Sequence, residues 1–465
     1  MGQANDQLPP LLKSPEDHEN IILQDNNLVR EKSNTLFPNI FEIPLFFKDP
    51  AASLLQWQTK TQMAASEINE RIQEHHRFLD SRQCNKTTEL RIKKIIAANE
   101  KNLDTLEHVL GSLFDFTIED LPALRSIQSR VGSTQDIFSY ENALIRDWGF
   151  EGEDDQCNFD ALEMIRQHIP KDVQLDTMVV LGTGASRLPS DLARIIKPGL
   201  TLACDLNPFL LLMAARILDG QSIKYFEIPN SPLNLDHSAV ERTLSLKEGE
   251  KVENFKFLLT DALSYPFTNQ ALDLVFTPWF IDIVHTRLVD LVQNINSKIK
   301  LGGAWLNFGP LFFDHRDSAE KHTVEEVREI VESNGFVIES FDSKFLSYLH
   351  SPASSHQRID QVHCFWAKKV KNVEPVITKV SPLPPWLLDP ALPVPHFDFL
   401  QRKHGHHRLL NQILSRVDGK QSLNNIAAAL SSESKLAPEQ GMQIVLGVFT
   451  ELFEESVAAK FKGLR

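Results

Sequence analysis

The stretch Met178-Val179-Val180-Leu181-Gly182-Thr183-Gly184-Ala185-Ser186-Arg187-Leu188 decides the fold. Four apolar residues make a short strand, a glycine turn follows, and a helical pattern begins at Ser190. The glycines let the backbone turn sharply and approach a ligand, while the helix N-terminus offers unpaired N–H groups and partial positive charge. The next apolar run, Leu200–Cys204, ends at Asp205, 23 residues after Gly182. A carboxylate there can accept hydrogen bonds from both hydroxyls of a ribose. Strand, turn, helix and acid together predict a nucleotide site. The place of the third glycine of an NAD fingerprint is taken by Arg187, which points to a different nucleotide.

Working outward, further short apolar runs lie at Phe257–Leu259, Leu272–Phe276 and Ala304–Phe308, with helical patterns between them. That alternation predicts an α/β fold, Rossmann-like, with a mostly parallel sheet. Asp261-Ala262 ends the third strand, where a side chain and a backbone N–H can read an adenine edge. Residues 230–254 lack a clear period and read as an insertion.

Upstream, Leu54, Trp57, Thr61, Ala64, Ile68 and Ile72 fall in steps of three and four, and Ile92, Ile95, Ile96, Leu103, Leu106 and Leu110 repeat the pattern. The polar break at Asp80 to Thr88 between them predicts an antiparallel helical hairpin. Downstream, seven prolines between Pro375 and Pro395 predict an extended linker. The expected organisation is a mobile polar tail over 1–40, a helical module over 41–170, the α/β domain over 171–370, a Pro-rich linker over 371–395 and a small helical or winged-helix domain over 396–465.

Composition bounds the function. A formal net charge of −14 with no dense Lys/Arg cluster disfavours nucleic acid as a partner. The four cysteines, Cys84, Cys157, Cys204 and Cys364, stand far apart, as suits reduced thiols in a cytoplasm. Residues 1–38 hold no apolar run of a secretion signal, and no apolar stretch reaches the ~18 to 20 residues that span a bilayer. The expected chain is therefore cytoplasmic and away from membranes. His404, His406 and His407 form a His-rich patch without Cys or acidic partners at metal-ligand spacing, so no metal is expected.

At Phe280-Ile281-Asp282-Ile283-Val284-His285 and at Leu301-Gly302-Gly303-Ala304-Trp305-Leu306-Asn307-Phe308-Gly309-Pro310-Leu311 the sequence resembles the carnosine N-methyltransferase family, also called N2227-like. Ile145-Arg146-Asp147-Trp148 and Arg187-Leu188 look like further motifs of that family, and the resemblance covers about Ala51 to Lys369. It implies a class I methyltransferase fold, S-adenosylmethionine as cofactor, and contacts to it from Arg146, Gly182, Gly184, Arg187, Asp205, Asp261 and Ala262. Arg146 would pair with the methionine carboxylate as a charge-assisted fork. Asp282 would meet the substrate imidazole as the catalytic residue.

Departures from the family pattern concentrate on the substrate side. A substrate-contacting His of the family falls on Asp314, with His315 directly after it, and a family Tyr falls on Asp360, while Tyr348 matches another. In the cofactor loop a third glycine is Ser186, and a Gln before Arg146 is Ala143. The substrate-side candidates are thus Asp282, Asp314, His315, Tyr348 and Asp360. His285, on the helix after Asp282, reads as a packing or surface residue.

Outside the resemblance, Ile413 to Lys420 followed by Leu423 to Leu430 faintly resembles the small winged-helix domains similar to PqqD that hold peptides for modifying enzymes. A plain helical appendage or a homodimerisation unit is the competing expectation. Three functions are therefore open: imidazole N-methylation of a small histidine-containing compound, methylation of a larger peptide or protein delivered by the C-terminal domain, or a non-catalytic S-adenosylmethionine-binding module.

Overall fold

The computed structural model describes residues 8–81, 84–115, 136–247, 250–284, 286–313, 318–375, 412–417, 421–434, 436–446 and 448–449. Over 8–40, where a mobile tail was expected, and over 41–47, at the start of the expected helical module, the chain forms short strands β1 (Ile21–Gln24), β2 (Asn27–Arg30), β3 (Leu36–Phe37), β4 (Asn39–Ile40) and β5 (Ile43–Pro44). Asp25 and Asn26 both take positive φ between β1 and β2, the geometry that two-residue hairpin loops prefer. Widely spaced apolar residues, Leu8, Leu12, Ile21, Leu28, Phe37 and Phe46, are buried in one core with the central sheet. Their spacing between polar neighbours hides them from any periodicity count.

Two helices follow as an antiparallel hairpin, α1 (Pro50–Asp80) and α2 (Lys86–Leu110), and the predicted α1 stripe from Leu54 to Ile72 is buried. Asn85 caps α2, its side chain accepting from the Thr88 N–H at 2.8 Å, a bond worth about 1 kcal/mol. The short helices α3 (Glu141–Trp148) and α4 (Gln156–Arg166) lead into the sheet.

The remaining elements alternate: β6 (Thr177–Leu181), α5 (Arg187–Ile196), β7 (Leu200–Asp205), α6 (Pro208–Leu218), β8 (Ile223–Glu227), β9 (Val240–Leu244), β10 (Phe255–Leu259), β11 (Leu272–Pro278), α7 (Leu288–Lys298), β12 (Ile299–Gly309), α8 (Val324–Ser333), β13 (Phe336–Tyr348) and β14 (Arg358–Lys369). Seven of these strands form one sheet in the order β10-β7-β6-β11-β12-β14-β13. The first five run parallel and β14 runs antiparallel to both neighbours. The dinucleotide order 3-2-1-4-5-6 is thereby altered by a reversed strand inserted before the last one. Every residue of β6 is buried, because helices cover both faces of a parallel sheet. Val179 and Leu181 enter the core on one face, Met178 and Val180 that on the other.

Helix α6 is apolar on nearly every side, and its residues from Pro208 to Ala214 are all buried. Such a helix needs cover beyond the sheet, and α2 provides it. The expected insertion holds β9, which pairs with β8 as a hairpin. Its alternation of half-buried and exposed residues is too shallow to read as a period. Asn102 of α2 fastens this hairpin, donating to the Phe226 carbonyl and accepting from the Phe226 N–H, both at 2.8 Å. Asn102→Ala leaves two backbone groups unpaired and is expected to destabilise the fold by about 1–3 kcal/mol in chemical denaturation.

Residues 378–465 form a second compact unit. Its described part is helical, with α9 (Leu423–Ser434) and a helical stretch over 438–446 around Ile413, Ile426, Ala427, Leu430 and Val445. Gly441 is required there, since a Cβ would strike the Ser431 hydroxyl. Residues 376–395 of the expected linker, and His404, His406 and His407, lie outside the described residues.

Candidate functional site

The strand order reverses between β6 and β11, and open α/β sheets bind ligands in the crevice outside the strand carboxyl ends at such a point. The loop after β6 forms one wall. Gly182 and Gly184 have φ of +69° and +55°, favoured by glycine alone. A Cβ on Gly182 would run into the Phe280 ring. Gly182→Ala therefore combines backbone strain with overpacking, and about 2–4 kcal/mol of stability should be lost together with cofactor binding, checked by calorimetry.

The space over Gly184 is open, with nothing within 4 Å of a built Cβ. Asp205 holds this loop: one oxygen accepts from the Gly184 N–H at 2.8 Å and the other from the Asn207 N–H at 2.9 Å. Burial pushes its carboxyl above the ordinary value, against the pull of those backbone N–H groups. Each oxygen keeps a lone pair for a further donor.

The second wall comes from α3. Trp148 donates its indole N–H to the Ala185 carbonyl at 2.7 Å, which sets α3 against the glycine loop. Arg146 is held by its neighbour, Nε and Nη2 each 2.6 Å from Asp147 Oδ1, and lies 5.9 Å from the Trp279 ring centre. Arg187, also expected at the cofactor, directs its donors to Asp191 at 2.8 Å and Glu250 at 3.4 Å and stacks on Trp148 at 5.2 Å. Its visible work is to brace Trp148.

The far end is acidic and aromatic. Asp282, four residues past β11, is 5% exposed. Oδ2 accepts from the Phe312 N–H at 3.3 Å, whereas Oδ1 is buried with no hydrogen-bond partner among the described residues. Burial, with the Asp360 charge adding to it, raises this carboxyl to about 7. Tyr348 packs on Trp279 with ring centres 4.8 Å apart. Its phenol is raised mainly by burial, and it senses Arg146, Arg358, Asp360 and Asp282. Asp360 completes the group. Asp261 stands at the crevice edge, its side chain accepting from the Leu263 N–H at 2.9 Å, followed by the buried Ala262. Asp314, His315 and His285 lie outside the described residues.

Sequence reading missed Tyr140, Trp279 and Arg358. Tyr140, in the left-handed region ahead of α3, is 42% exposed as a whole residue, but its phenol is raised by partial burial and by the charges of Tyr348, Asp205 and Asp282. It therefore stands between the nucleotide end and the acidic end. Its place just before the Ile145–Trp148 motif is the only signal that could have marked it.

A switch-point crevice with a glycine loop, a buried acid on the second strand and a reversed strand in the sheet defines an S-adenosylmethionine-dependent methyltransferase fold. The family model for carnosine N-methyltransferase matches residues 125–371. A carnosine N-methyltransferase of Drosophila melanogaster is 27% identical over 247 residues, 48% of this chain and 52% of that protein. The Mus musculus carnosine N-methyltransferase is 25% identical over 243 residues, 46% and 58% of the two chains. The chain thus spans about half the length of the curated relatives it matches. Among solved structures, an S-adenosylmethionine-dependent methyltransferase of Listeria monocytogenes aligns with 46% of this chain and 98% of its own at 12% identity and a TM-score of 0.32. The [4+2]-cyclase SpnF aligns with 52% and 96% at 12% identity and a TM-score of 0.35.

This chain belongs to the carnosine N-methyltransferase family. The cofactor of that fold and family is S-adenosylmethionine. The open cradle over Gly184 and the buried Asp205 carboxylate suit it. No helix among the described residues is long and apolar enough to cross a membrane.

Proposed function

We propose that the protein methylates an imidazole nitrogen of a small histidine-containing substrate, with Asp282 as the catalytic residue. One observation carries the reading: a carboxylate oxygen, Asp282 Oδ1, is buried in the crevice without a donor among the described residues. Leaving a buried acceptor unsatisfied costs about 1–3 kcal/mol, more when it is charged, so the site is built for a ligand N–H. A neutral imidazole has one N–H and one lone pair on opposite sides of the ring. With the N–H on Asp282, the bare nitrogen is turned away from the carboxylate and toward the glycine loop.

On this reading Arg146 would hold the methionine carboxylate, Asp205 the ribose hydroxyls, and Asp261 with Ala262 the adenine. The cofactor supplies a methyl group on a sulfonium sulfur. The free imidazole nitrogen would take up that methyl group, leaving S-adenosylhomocysteine and a cationic ring. Its N–H proton passes to Asp282, whose carboxyl at about 7 is matched to an imidazole near ~6.5. Trp279 and Tyr348 wall the ring, and alignment carries most of the rate.

The test is a methyl-transfer assay with labelled cofactor, offering histidine, carnosine and short His-containing peptides, with the methyl group located by mass spectrometry. Label on an imidazole nitrogen of a small compound is the expected result. Label confined to longer peptides would move the reading to a delivered peptide, and cofactor binding without any transfer would leave only a binding module.

A further inference from the structure

The turn at Asp261-Ala262 is held from outside the α/β domain. Strand β10 stands at one end of the sheet order, and an edge strand offers a row of unpaired N–H and C=O groups. The chain just after β5 takes up the end of that row: Leu45 bridges to Leu259 in parallel, and Phe46 donates its N–H to the Leu259 carbonyl at 2.7 Å. Thr260, fully buried, then bonds in both directions. Its hydroxyl donates to the Phe46 carbonyl at 2.7 Å, and its N–H donates to the Asp205 carbonyl at 2.9 Å. One residue thus joins the N-terminal segment, the backbone of the expected ribose acid and the first residue of the turn.

The far side of the turn is fastened by the same segment. Lys13 donates its N–H to the Pro266 carbonyl at 3.0 Å, Thr268 donates its N–H to the Leu11 carbonyl at 2.8 Å, and the Thr268 hydroxyl reaches the Pro10 carbonyl at 2.9 Å. Between these ends Ala262 is buried in one core with Leu8, Leu12, Phe37 and Phe46. The turn itself is short, with the Asp261 side chain on the Leu263 N–H and the Asp261 carbonyl accepting from the Ser264 N–H at 3.0 Å. A turn that short is placed by its two ends, and residues 10–13 and 45–46 hold both. The family match begins at residue 125, so this clamp lies outside the stretch shared with the family model.

We propose that residues 8–47 are a working part of the cofactor site, holding the adenine-reading turn from both ends, and that Thr260 is the positioning residue through which they do so. This rests on reading Asp261 and Ala262 as the adenine contact. A cofactor that binds the turn best in its clamped form must in return tighten the clamp, because coupling between two sites is reciprocal.

The experiment uses the full chain and two readouts, S-adenosylhomocysteine affinity and amide hydrogen exchange. Thr260→Val keeps a buried, β-branched side chain and removes the hydroxyl, and affinity should fall about 5-fold or more, the lower end of the usual range for coupled sites. Thr260→Ser should restore most of the loss. In the wild type, adenosine should slow exchange at the Lys13, Phe46 and Thr268 amides, whereas L-methionine should not. Wild-type affinity in Thr260→Val, a loss that serine does not rescue, or exchange at those amides indifferent to adenosine overturns the inference. Asp261→Ala keeps the two readings apart: lost affinity leaves the adenine contact standing whatever becomes of the clamp, and undiminished affinity overturns both.

Discussion

Asp282→Asn is expected to abolish methyl transfer, by about 1,000-fold or more, while the apo protein becomes more stable at pH 8. Both effects come from one buried carboxyl. In the folded chain it sits at about 7, well above its ordinary 3.8, chiefly through burial. A group whose folded value is raised contributes fully below its unfolded value, and that contribution is lost as pH rises through the folded value. Here the window runs from about pH 4 to pH 7. Roughly three units at 1.36 kcal/mol each make about 4 kcal/mol, an upper figure for the burden of the ionised form at pH 8. Asparagine removes the charge and keeps an acceptor for the Phe312 N–H, so a gain of about 2–4 kcal/mol at pH 8 that vanishes at pH 4 is expected in denaturant titrations. Activity of the wild type should have an acid limb near pH 7, because a protonated Asp282 donates its O–H to the nitrogen lone pair that must attack. A variant that loses activity without gaining stability at pH 8 would show that Asp282 is braced by some other partner.

Arg146→Met should weaken S-adenosylhomocysteine binding by about 100-fold and also destabilise the fold. Asp147 is buried, the Arg146 side chain is 13% exposed, and the two meet at 2.6 Å. Removing the guanidinium strands the Asp147 carboxylate, and breaking a buried pair from one side costs about 3–5 kcal/mol. The double variant Arg146→Met with Asp147→Asn separates the two effects. Stability should largely return, since no unpaired charge is left, whereas binding should not, since the fork for a carboxylate is still missing. Recovery of binding in the double variant would mean that Arg146 acts only through its neighbour.

Strands β6, β7, β10, β11 and β12 were legible because largely buried parallel strands are continuous apolar runs, and four of them end near a residue at the crevice: Gly182, Asp205, Asp261 and Asp282. The α1 and α2 hairpin was legible for the same reason in a helical period. Strands β13 and β14 were not. β13 mixes exposed and half-buried residues over 13 positions with charges such as Lys344 interleaved, β14 buries the run from Val362 to Ala367 but opens on polar residues such as Asp360, and a reversed hairpin leaves no glycine or acid signature. Tyr348 and Asp360 of the acidic end were named only through the family resemblance, and Arg358 not at all, since the three converge only when that hairpin folds back beside β12. Tyr140 was hard to read for another reason: it stands in a left-handed backbone turn that no spacing announces, marked only by its place before the Ile145–Trp148 motif.

The first described residues have a consequence for synthesis. The Thr268 hydroxyl bonds the Pro10 carbonyl across 258 residues, Leu12 bridges to Phe267, and Phe46 donates its N–H to the Leu259 carbonyl. These partners emerge from the ribosome long after the segment that needs them. At about 5–20 residues per second the wait is roughly 12–50 s, during which Leu8, Leu12, Ile21, Leu28 and Phe37 have no sheet to cover them. The nascent chain must carry this apolar strand-forming piece unprotected through most of its translation, so its yield in cells should respond to elongation speed and to chaperones that shelter early segments.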